Sequence, residues 1–544
     1  MDLAPLSQHH TRLELLPTAL DQKAEAHPEK IWASIPIDSN DLSKGFQEIK
    51  WRTAADAYNR AAWSFDNTIK PAPECTFPTI AYIGPPDLRY FFLTVALVKL
   101  GYKVLLMQPS VSIEGQLNLL DKTDCQKIIY GDLITKPLEA ILAARKQIQA
   151  FQSPSLQELM SKDDSIPTYP FNHTPESYLN NPLMIIHTSG STGLPKPVVL
   201  SFGFLAVNIL NLDLPYLDNQ PNNWQCIRDC KRFYIGFPIA HAGGIHVGLI
   251  ASAYNDVTIV MVQGFALSGE IFSDVIKYGG ARGALTMPRV LIEVAKSESA
   301  MQEIRKMDFV LWAGGHIPKS VGDSISKLTR LASSWGTTES GSHVLHLNRP
   351  EDWEYNHFSP TYNHLRFTSA DDAGTLFEVS AVKNPDVRLR HYQKIFWAFP
   401  DQEEWWFGDL WSRHPDPSKK NLWRYEGRKD DMIILDSGHN FHPAFYLREI
   451  LLKDPRVANA VILGTGKPSL AVILEVRDGE SRNAGRYLDL ARKVNERSTT
   501  MAQIPEENVI VASHEKILPK GAKGDVVPKL AEKLYEEELS KIWG

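Results

Sequence analysis

Short apolar runs alternate with longer helical segments over the first four-fifths of the chain. Thr79-Ile80-Ala81-Tyr82-Ile83, Lys127-Ile128-Ile129-Tyr130 and Thr258-Ile259-Val260-Met261-Val262 have the length and the β-branched content of strands. The apolar stretch from Phe91 to Met107 contains Lys99, Gly101 and Lys103, so it is too short and too charged to span a membrane. It predicts a buried helix over 90–100 leading into a strand over 103–107. Leu183-Met184-Ile185-Ile186 and Val198-Val199-Leu200 flank a polar, glycine-rich loop and predict strand, loop, strand. The polar, proline-containing stretch 152–181 reads as a linker, and 412–422 as a surface loop. After Asp431 the pattern changes. Strand-like runs at 460–463, 470–474 and 508–511 alternate with helical runs at 443–452 and 486–497, and an amphipathic helix over 528–542 ends the chain. The alternation predicts an α/β fold with a large layered N-terminal body, followed by a small α+β domain of roughly a hundred residues. There are no internal repeats or low-complexity tracts.

At 544 residues the chain is long enough for two to four domains, and 43% hydrophobic content supplies a core. The net charge of −6, from 58 basic and 64 acidic residues, argues against a nucleic-acid or anionic-membrane partner. The first residues, Met1-Asp2-Leu3-Ala4-Pro5, lack a basic region followed by an apolar run, and only four cysteines are present, so a reducing, cytoplasmic setting is expected. Cys226 and Cys230 are four apart, but no second Cys/His pair follows at zinc spacing, so they read as ordinary thiols.

The densest chemistry lies in Thr188-Ser189-Gly190-Ser191-Thr192-Gly193-Leu194-Pro195-Lys196. The glycines let backbone N–H groups turn toward an anion, the hydroxyls add donors and Lys196 adds charge, so the natural ligand is a polyphosphate. It is not a Walker A loop, because Leu194-Pro195 separate Gly193 from the lysine.

The loop resembles the phosphate-binding motif of the adenylate-forming superfamily, which comprises acyl-CoA synthetases, luciferases and the adenylation domains of nonribosomal peptide synthetases. Further segments resemble that family in order and spacing. Gly314-Gly315-His316 is similar to the strip that runs along the adenine. Trp335-Gly336-Thr337-Thr338-Glu339 is similar to the aromatic-Gly-x-Thr-Glu segment, which implies adenine packing for Trp335, an α-phosphate contact for Thr338 and a Mg²⁺ contact for Glu339. A carboxylate is the expected hard oxygen ligand for that ion. Phe407-Gly408-Asp409-Leu410 resembles Thr-Gly-Asp-Leu, with Phe407 departing from the pattern and Asp409 implied on the ribose hydroxyls. Gly427-Arg428-Lys429-Asp430-Asp431 resembles the hinge motif, with Arg428 implied at the nucleotide and Asp430 as the hinge. The resemblance implies a core of residues 1–429, with β-sheets sandwiched by helices, and a mobile C-terminal lid of residues 430–544.

Two departures from the family pattern are informative. The lid's usual lysine motif is replaced by Pro519-Lys520-Gly521-Ala522-Lys523-Gly524-Asp525. A lysine just before the glycine is similar to fungal synthetase-like enzymes with an adenylation, carrier and reductase or thioesterase layout. Lys523 is therefore the expected catalytic lysine, with Lys520 as runner-up. The segment Phe237-Pro238-Ile239-Ala240-His241-Ala242-Gly243-Gly244 has no acid to pair with a substrate ammonium, and it resembles the pattern of aryl- and acyl-activating members. It implies His241 beside the substrate carboxylate, with Ile245, Met287, Trp312, Gly314 and Ser342 as further pocket residues.

The expected function is ATP- and Mg²⁺-dependent activation of an aryl or aliphatic carboxylic acid to an acyl-adenylate. Transfer to the phosphopantetheine thiol of a carrier domain follows, within a synthetase-like reductase. A stand-alone acyl-CoA ligase using CoA is the alternative, and a catalytically silent nucleotide-binding protein is the rival of another class. No Gly-x-Asp-Ser-like carrier site follows Lys523, which leaves open whether the chain is an excised module or a complete enzyme.

Overall fold

The structure is a computed structural model, and it describes residues 12–132, 135–161, 166–188, 194–264, 267–371, 374–437, 439–498, 502–520 and 526–543. The chain packs as two compact units. One comprises residues up to Arg366 with Ala381–Trp405 and Asp416–Trp423; the other comprises Phe367–Ser380, Trp406–Pro415 and the chain from Arg424 onward.

The first unit is built on two large sheets. A six-stranded sheet runs in the order Gln149–Gln152, Lys127–Tyr130, Thr79–Ile83, Lys103–Met107, Pro182–His187, Pro197–Ser201. Its pairings are parallel except the last, which is antiparallel. A seven-stranded sheet runs in the order Arg330–Ser333, Phe309–Trp312, Gly283–Thr286, Arg232–Ile235, Thr258–Val260, Ile31–Pro36, Phe46–Lys50, again parallel except at the last pair. Parallel strands are covered on both faces, which is why they read as continuous apolar runs and not as alternating ones. Residues Ile80, Ala81, Tyr82 and Ile83 are all fully buried.

The helix expected over 90–100 is Arg89–Lys99, and all eleven of its residues are buried. A helix that is apolar all round needs cover on every side. It has this cover in one core with Val104 and Met184 of the six-stranded sheet and with Phe233 and Ile259 of the seven-stranded sheet. Lys99 is tolerated in this core because its ammonium is 2.7 Å from Asp21. Among the described residues no helix is long and apolar enough to cross a membrane. The stretch expected to be a linker carries two short helices, Leu156–Leu159 and Pro175–Tyr178.

In the second unit, the strand Val457–Leu463 pairs antiparallel with Ala471–Val476, which pairs parallel with Val509–Val511. The helices Pro443–Tyr446 and Leu488–Arg497 cover one face of this sheet, burying Tyr446, Leu490 and Val494 with Ile462 and Leu474. The expected helix over 528–542 is two helices, Pro528–Leu534 and Glu536–Trp543. They break at Tyr535, which leaves helical geometry (φ −106°, ψ 20°) and is buried with its hydroxyl donating to the Lys516 carbonyl. An amphipathic period alone does not reveal that break.

Candidate active site

Parallel topology brings most of the expected site residues to one edge of the seven-stranded sheet. Four adjacent strands end there, and each end carries one expected element. Arg232–Ile235 leads to His241 and Ile245, and Gly283–Thr286 leads to Met287. Phe309–Trp312 leads to Gly314, Gly315 and His316, and Arg330–Ser333 leads to Trp335 through Glu339. Ligands of open α/β sheets bind outside the carboxyl ends of the strands. The ladder persists past the strand ends: Gly236 N–H donates to Leu285 O at 2.8 Å, Ala313 N–H to Thr286 O at 3.1 Å and Ser334 N–H to Trp312 O at 2.8 Å. Each loop therefore leaves from a fixed point.

Gly336–Thr337 and Gly341–Ser342 form a tight antiparallel hairpin, with Gly336 opposite Ser342 and Thr337 opposite Gly341. A side chain at Gly336 would stand 2.4 Å from the Gly341 carbonyl, and Gly341 itself has φ +61°. Both positions therefore require glycine. Ser340 N–H donates to the Thr337 hydroxyl at 3.1 Å, and the Ser340 hydroxyl lies 3.1 Å from His343 Nε2. Thr337 is thus spent on the turn, whereas Thr338 and Glu339 form its tip, and Glu339 makes no ion pair among the described residues. A carboxylate beside a threonine hydroxyl on a fixed tip fits a magnesium ion whose other ligands are phosphate oxygens and water. Trp335 is buried, stacked at 4.2 Å on His343 with Phe358 against its edge.

His241 precedes the helical turn Ala242–His246, and its Nδ1 accepts from Gly243 N–H at 3.0 Å. The ring is therefore neutral with its proton on Nε2, a donor and not a cation. Phe237 stacks on it at 5.5 Å. Ile245 and Trp312 are buried, and Met287 is half-buried as the residue before helix Pro288–Val294. The Ser342 hydroxyl lies 3.3 Å from that of Ser334.

On the six-stranded sheet, the expected strand-loop-strand is Pro182–His187 and Pro197–Ser201. Thr188 N–H donates to Lys196 O at 3.0 Å, and Lys196 N–H to Thr188 Oγ1 at 3.4 Å. The stem closes on itself, leaving the Thr188 O–H to donate elsewhere. Ser189, Gly190, Ser191, Thr192 and Gly193 lie outside the described residues, as does Lys523.

In the second unit, Asp409 is buried in the strand Glu404–Arg413, and its carboxylate accepts from Arg428 Nη1 at 2.9 Å. Arg428 also donates to Phe407 O at 2.7 Å and to Asp430 at 3.1 Å. It thus joins the expected ribose ligand to the expected hinge residue. Asp430 is exposed in the turn Lys429–Asp431.

Sequence reasoning missed a buried polar cluster behind Ser342. Lys394 donates to Ser342 O and, at 3.0 Å, to Asn208 Oδ1. Burial pulls its ammonium down to about 7. His246, 1% exposed, is held neutral by burial and by Lys394, and its Nε2 has no partner among the described residues. The only hint in the sequence is one lysine set among Tyr392, Ile395 and Phe396.

A sheet edge that gathers a Thr-Glu hairpin, a glycine strip and a donor histidine fits a nucleotide-binding enzyme. Two family models, described as AMP-binding enzyme and AMP-binding enzyme C-terminal domain, match residues 20–373 and 430–544. The chain belongs to this adenylate-forming family. It is 28% identical over 535 residues to a carboxylic acid reductase of Neurospora crassa, covering 96% of this chain and 50% of that protein. It is 24% identical to an adenylate-forming reductase of Aspergillus terreus, covering 82% and 41%. The chain thus spans about half the length or less of these curated relatives. Among solved structures it resembles ATP-bound MatB from Rhodopseudomonas palustris (TM-score 0.72, 15% identity, 96% and 99% covered). It also resembles the AMP complex of O-succinylbenzoate CoA synthetase from Bacillus subtilis (TM-score 0.67, 19% identity, 94% and 97% covered).

Proposed function

We propose that the chain activates an aryl or aliphatic carboxylic acid with ATP and then passes the acyl group to the phosphopantetheine thiol of a carrier domain in a larger reductase-type enzyme. A carboxylate oxygen attacks the α-phosphorus, the bond from that phosphorus to the bridging oxygen of the β-phosphate breaks, and pyrophosphate leaves. No protein nucleophile is needed, so the residues act by positioning and charge stabilisation. Thr188 and Lys196, with the loop between them, hold the β- and γ-phosphates. Thr338 and Lys523 meet the α-phosphate, and Asp409 takes the ribose. Glu339 would hold Mg²⁺, which supplies charge neutralisation on the phosphates. His241 donates Nε2–H to the substrate carboxylate. The core of residues 1–429 and the lid of 430–544 divide these roles, with Asp430 as the hinge.

The observation that carries this reading is the convergence of four strand ends bearing His241, Met287, Gly314–His316 and the Thr338–Glu339 tip. The reductases among the relatives support the carrier step. Acid-dependent ATP–pyrophosphate exchange over a panel of acids tests the first half, and thioester formation on a carrier protein against CoA tests the second.

α-Amino acids are expected to be poor substrates in that panel. No acid lies between Phe237 and Gly244, and the buried cation of Lys394 lies directly behind Ser342. Burying a second ammonium there without a counter-charge costs several kcal/mol, or about a hundredfold or more in kcat/KM. Robust exchange with a free α-amino acid and none with aryl or alkyl acids refutes this.

A further inference from the structure

We infer that Lys394 is a positioning residue for adenylation: a buried ammonium that braces the 336–343 hairpin, and with it Thr338 and Glu339, from behind. The inference rests on the proposed acid activation.

Lys394 is 5% exposed and immediately precedes the short helix Ile395–Ala398. Its ammonium reaches three separate segments. It donates to the Ser342 carbonyl on the hairpin and to Asn208 Oδ1 at 3.0 Å, and it lies 5.6 Å from the centre of the Trp224 ring. Asn208 is itself fixed, donating to Phe204 O at 3.1 Å and Leu205 O at 2.9 Å. The hairpin also rests on His246, since a side chain at Gly341 would stand 2.6 Å from His246 Cε1. Ser342 is in register with Gly336, and Gly341 with Thr337. A pull on the Ser342 carbonyl therefore sets where the Thr338–Glu339 tip stands.

Among the described residues the cation has no counter-charge. The other buried lysine described above, Lys99, pairs with Asp21, whereas Lys394 pairs with no carboxylate among the described residues. The titratable groups facing it are His246, from the segment 242–254, and His343, at the exit of the hairpin. Burial and Lys394 keep both neutral, His343 at about 3. A cation retained against that desolvation cost makes stronger bonds to its neutral acceptors than an uncharged donor would. As pH rises past about 7 the amine loses its charge and one of its three N–H donors.

The test is Lys394→Met, with Lys394→Gln as a second variant that keeps two N–H donors without charge. At about pH 6.5, wild type should exceed Lys394→Met in kcat for acid-dependent exchange by about tenfold or more, with KM for ATP and acid nearly unchanged. The ratio should shrink by about pH 9 toward the Lys394→Gln-to-Met ratio, because the deprotonated amine keeps two uncharged N–H donors and loses only the charge and the third. Lys394→Gln should be intermediate and show no such step. A wild-type-to-Met ratio that stays constant with pH overturns the inference. If wild type shows no acid-dependent exchange at all, the proposed function falls, and hydrogen exchange decides the brace alone. Amides of 336–343 should then exchange about tenfold faster in folded Lys394→Met than in wild type at about pH 6.5, and by a clearly smaller factor at about pH 9. Equal protection at both pH values overturns it.

Discussion

Lys523→Ala is expected to lose acyl-adenylate formation by about 10²–10³-fold, the cost of removing one preorganised donor at a developing charge, while transfer from supplied acyl-adenylate should stay largely intact. In the proposed role the lysine bridges the attacking carboxylate and the α-phosphate, where negative charge redistributes as the new bond forms. Such a donor acts only on the step in which that charge develops, so kcat falls and substrate KM changes little. Lys520 is the matched control, and the structure gives it another role. Its ammonium lies 3.3 Å from Glu475 on the strand Ala471–Val476, and its backbone bridges to Val526. Lys520 thus ties one end of the 520–526 segment to the sheet. Lys520→Ala is expected to retain most adenylation activity, with at most a small loss of stability, because a partly exposed ion pair contributes about 0–1 kcal/mol. Pyrophosphate exchange measures the first half-reaction, and thioester formation from synthetic acyl-adenylate measures the second. The assignment fails if Lys520→Ala abolishes exchange while Lys523→Ala keeps it, or if Lys523→Ala damages both half-reactions equally.

What could be read in advance was what repeats or what sits on a turn. The strands at 79–83, 127–130 and 182–187 were legible because a strand covered on both faces needs a continuous apolar run. The segment Trp335–Glu339 was legible as a motif, but the hairpin it opens, where glycines at 336 and 341 let backbones meet with no room for a side chain, was not. Side-chain pairings across the fold were not legible. Nothing in the local pattern places His343 on Trp335, joins Arg428 to both Asp409 and Asp430, or carries Lys394 from the segment before Ile395 to the back of Ser342. Those contacts link residues brought together by topology, and a buried lysine looks in sequence like any surface one. The neutral state of His241 likewise depends on one backbone N–H two residues away, a geometry that the composition of 237–244 leaves open.

Asp409→Ala is expected to weaken ATP and AMP binding by about two orders of magnitude or more, since two charge-assisted hydrogen bonds contribute about 1.5–3 kcal/mol each and every 1.4 kcal/mol is tenfold. An ionised carboxylate offers about four acceptor positions on its two oxygens, and Arg428 takes one of them at 2.9 Å. Burial magnifies the loss, because Asp409 is 4% exposed and water does not readily replace it. The variant also leaves Arg428 with Asp430 and the Phe407 carbonyl as its recorded partners, so part of the effect comes from a guanidinium that has lost its buried counter-charge. Asp409→Asn separates the two contributions. It keeps the shape and one acceptor oxygen but removes the charge, so it should bind nucleotide more weakly than wild type and more tightly than Ala. A 2′- and 3′-deoxy nucleotide pair gives the sharper discrimination. If Asp409 receives the ribose hydroxyls, wild type should bind the deoxy analogues more weakly than ATP, and Asp409→Ala should scarcely distinguish them. Calorimetric titration of folded variants reads both quantities. Unchanged affinity in Asp409→Ala, or undiminished discrimination against the deoxy analogues, removes Asp409 from the nucleotide site.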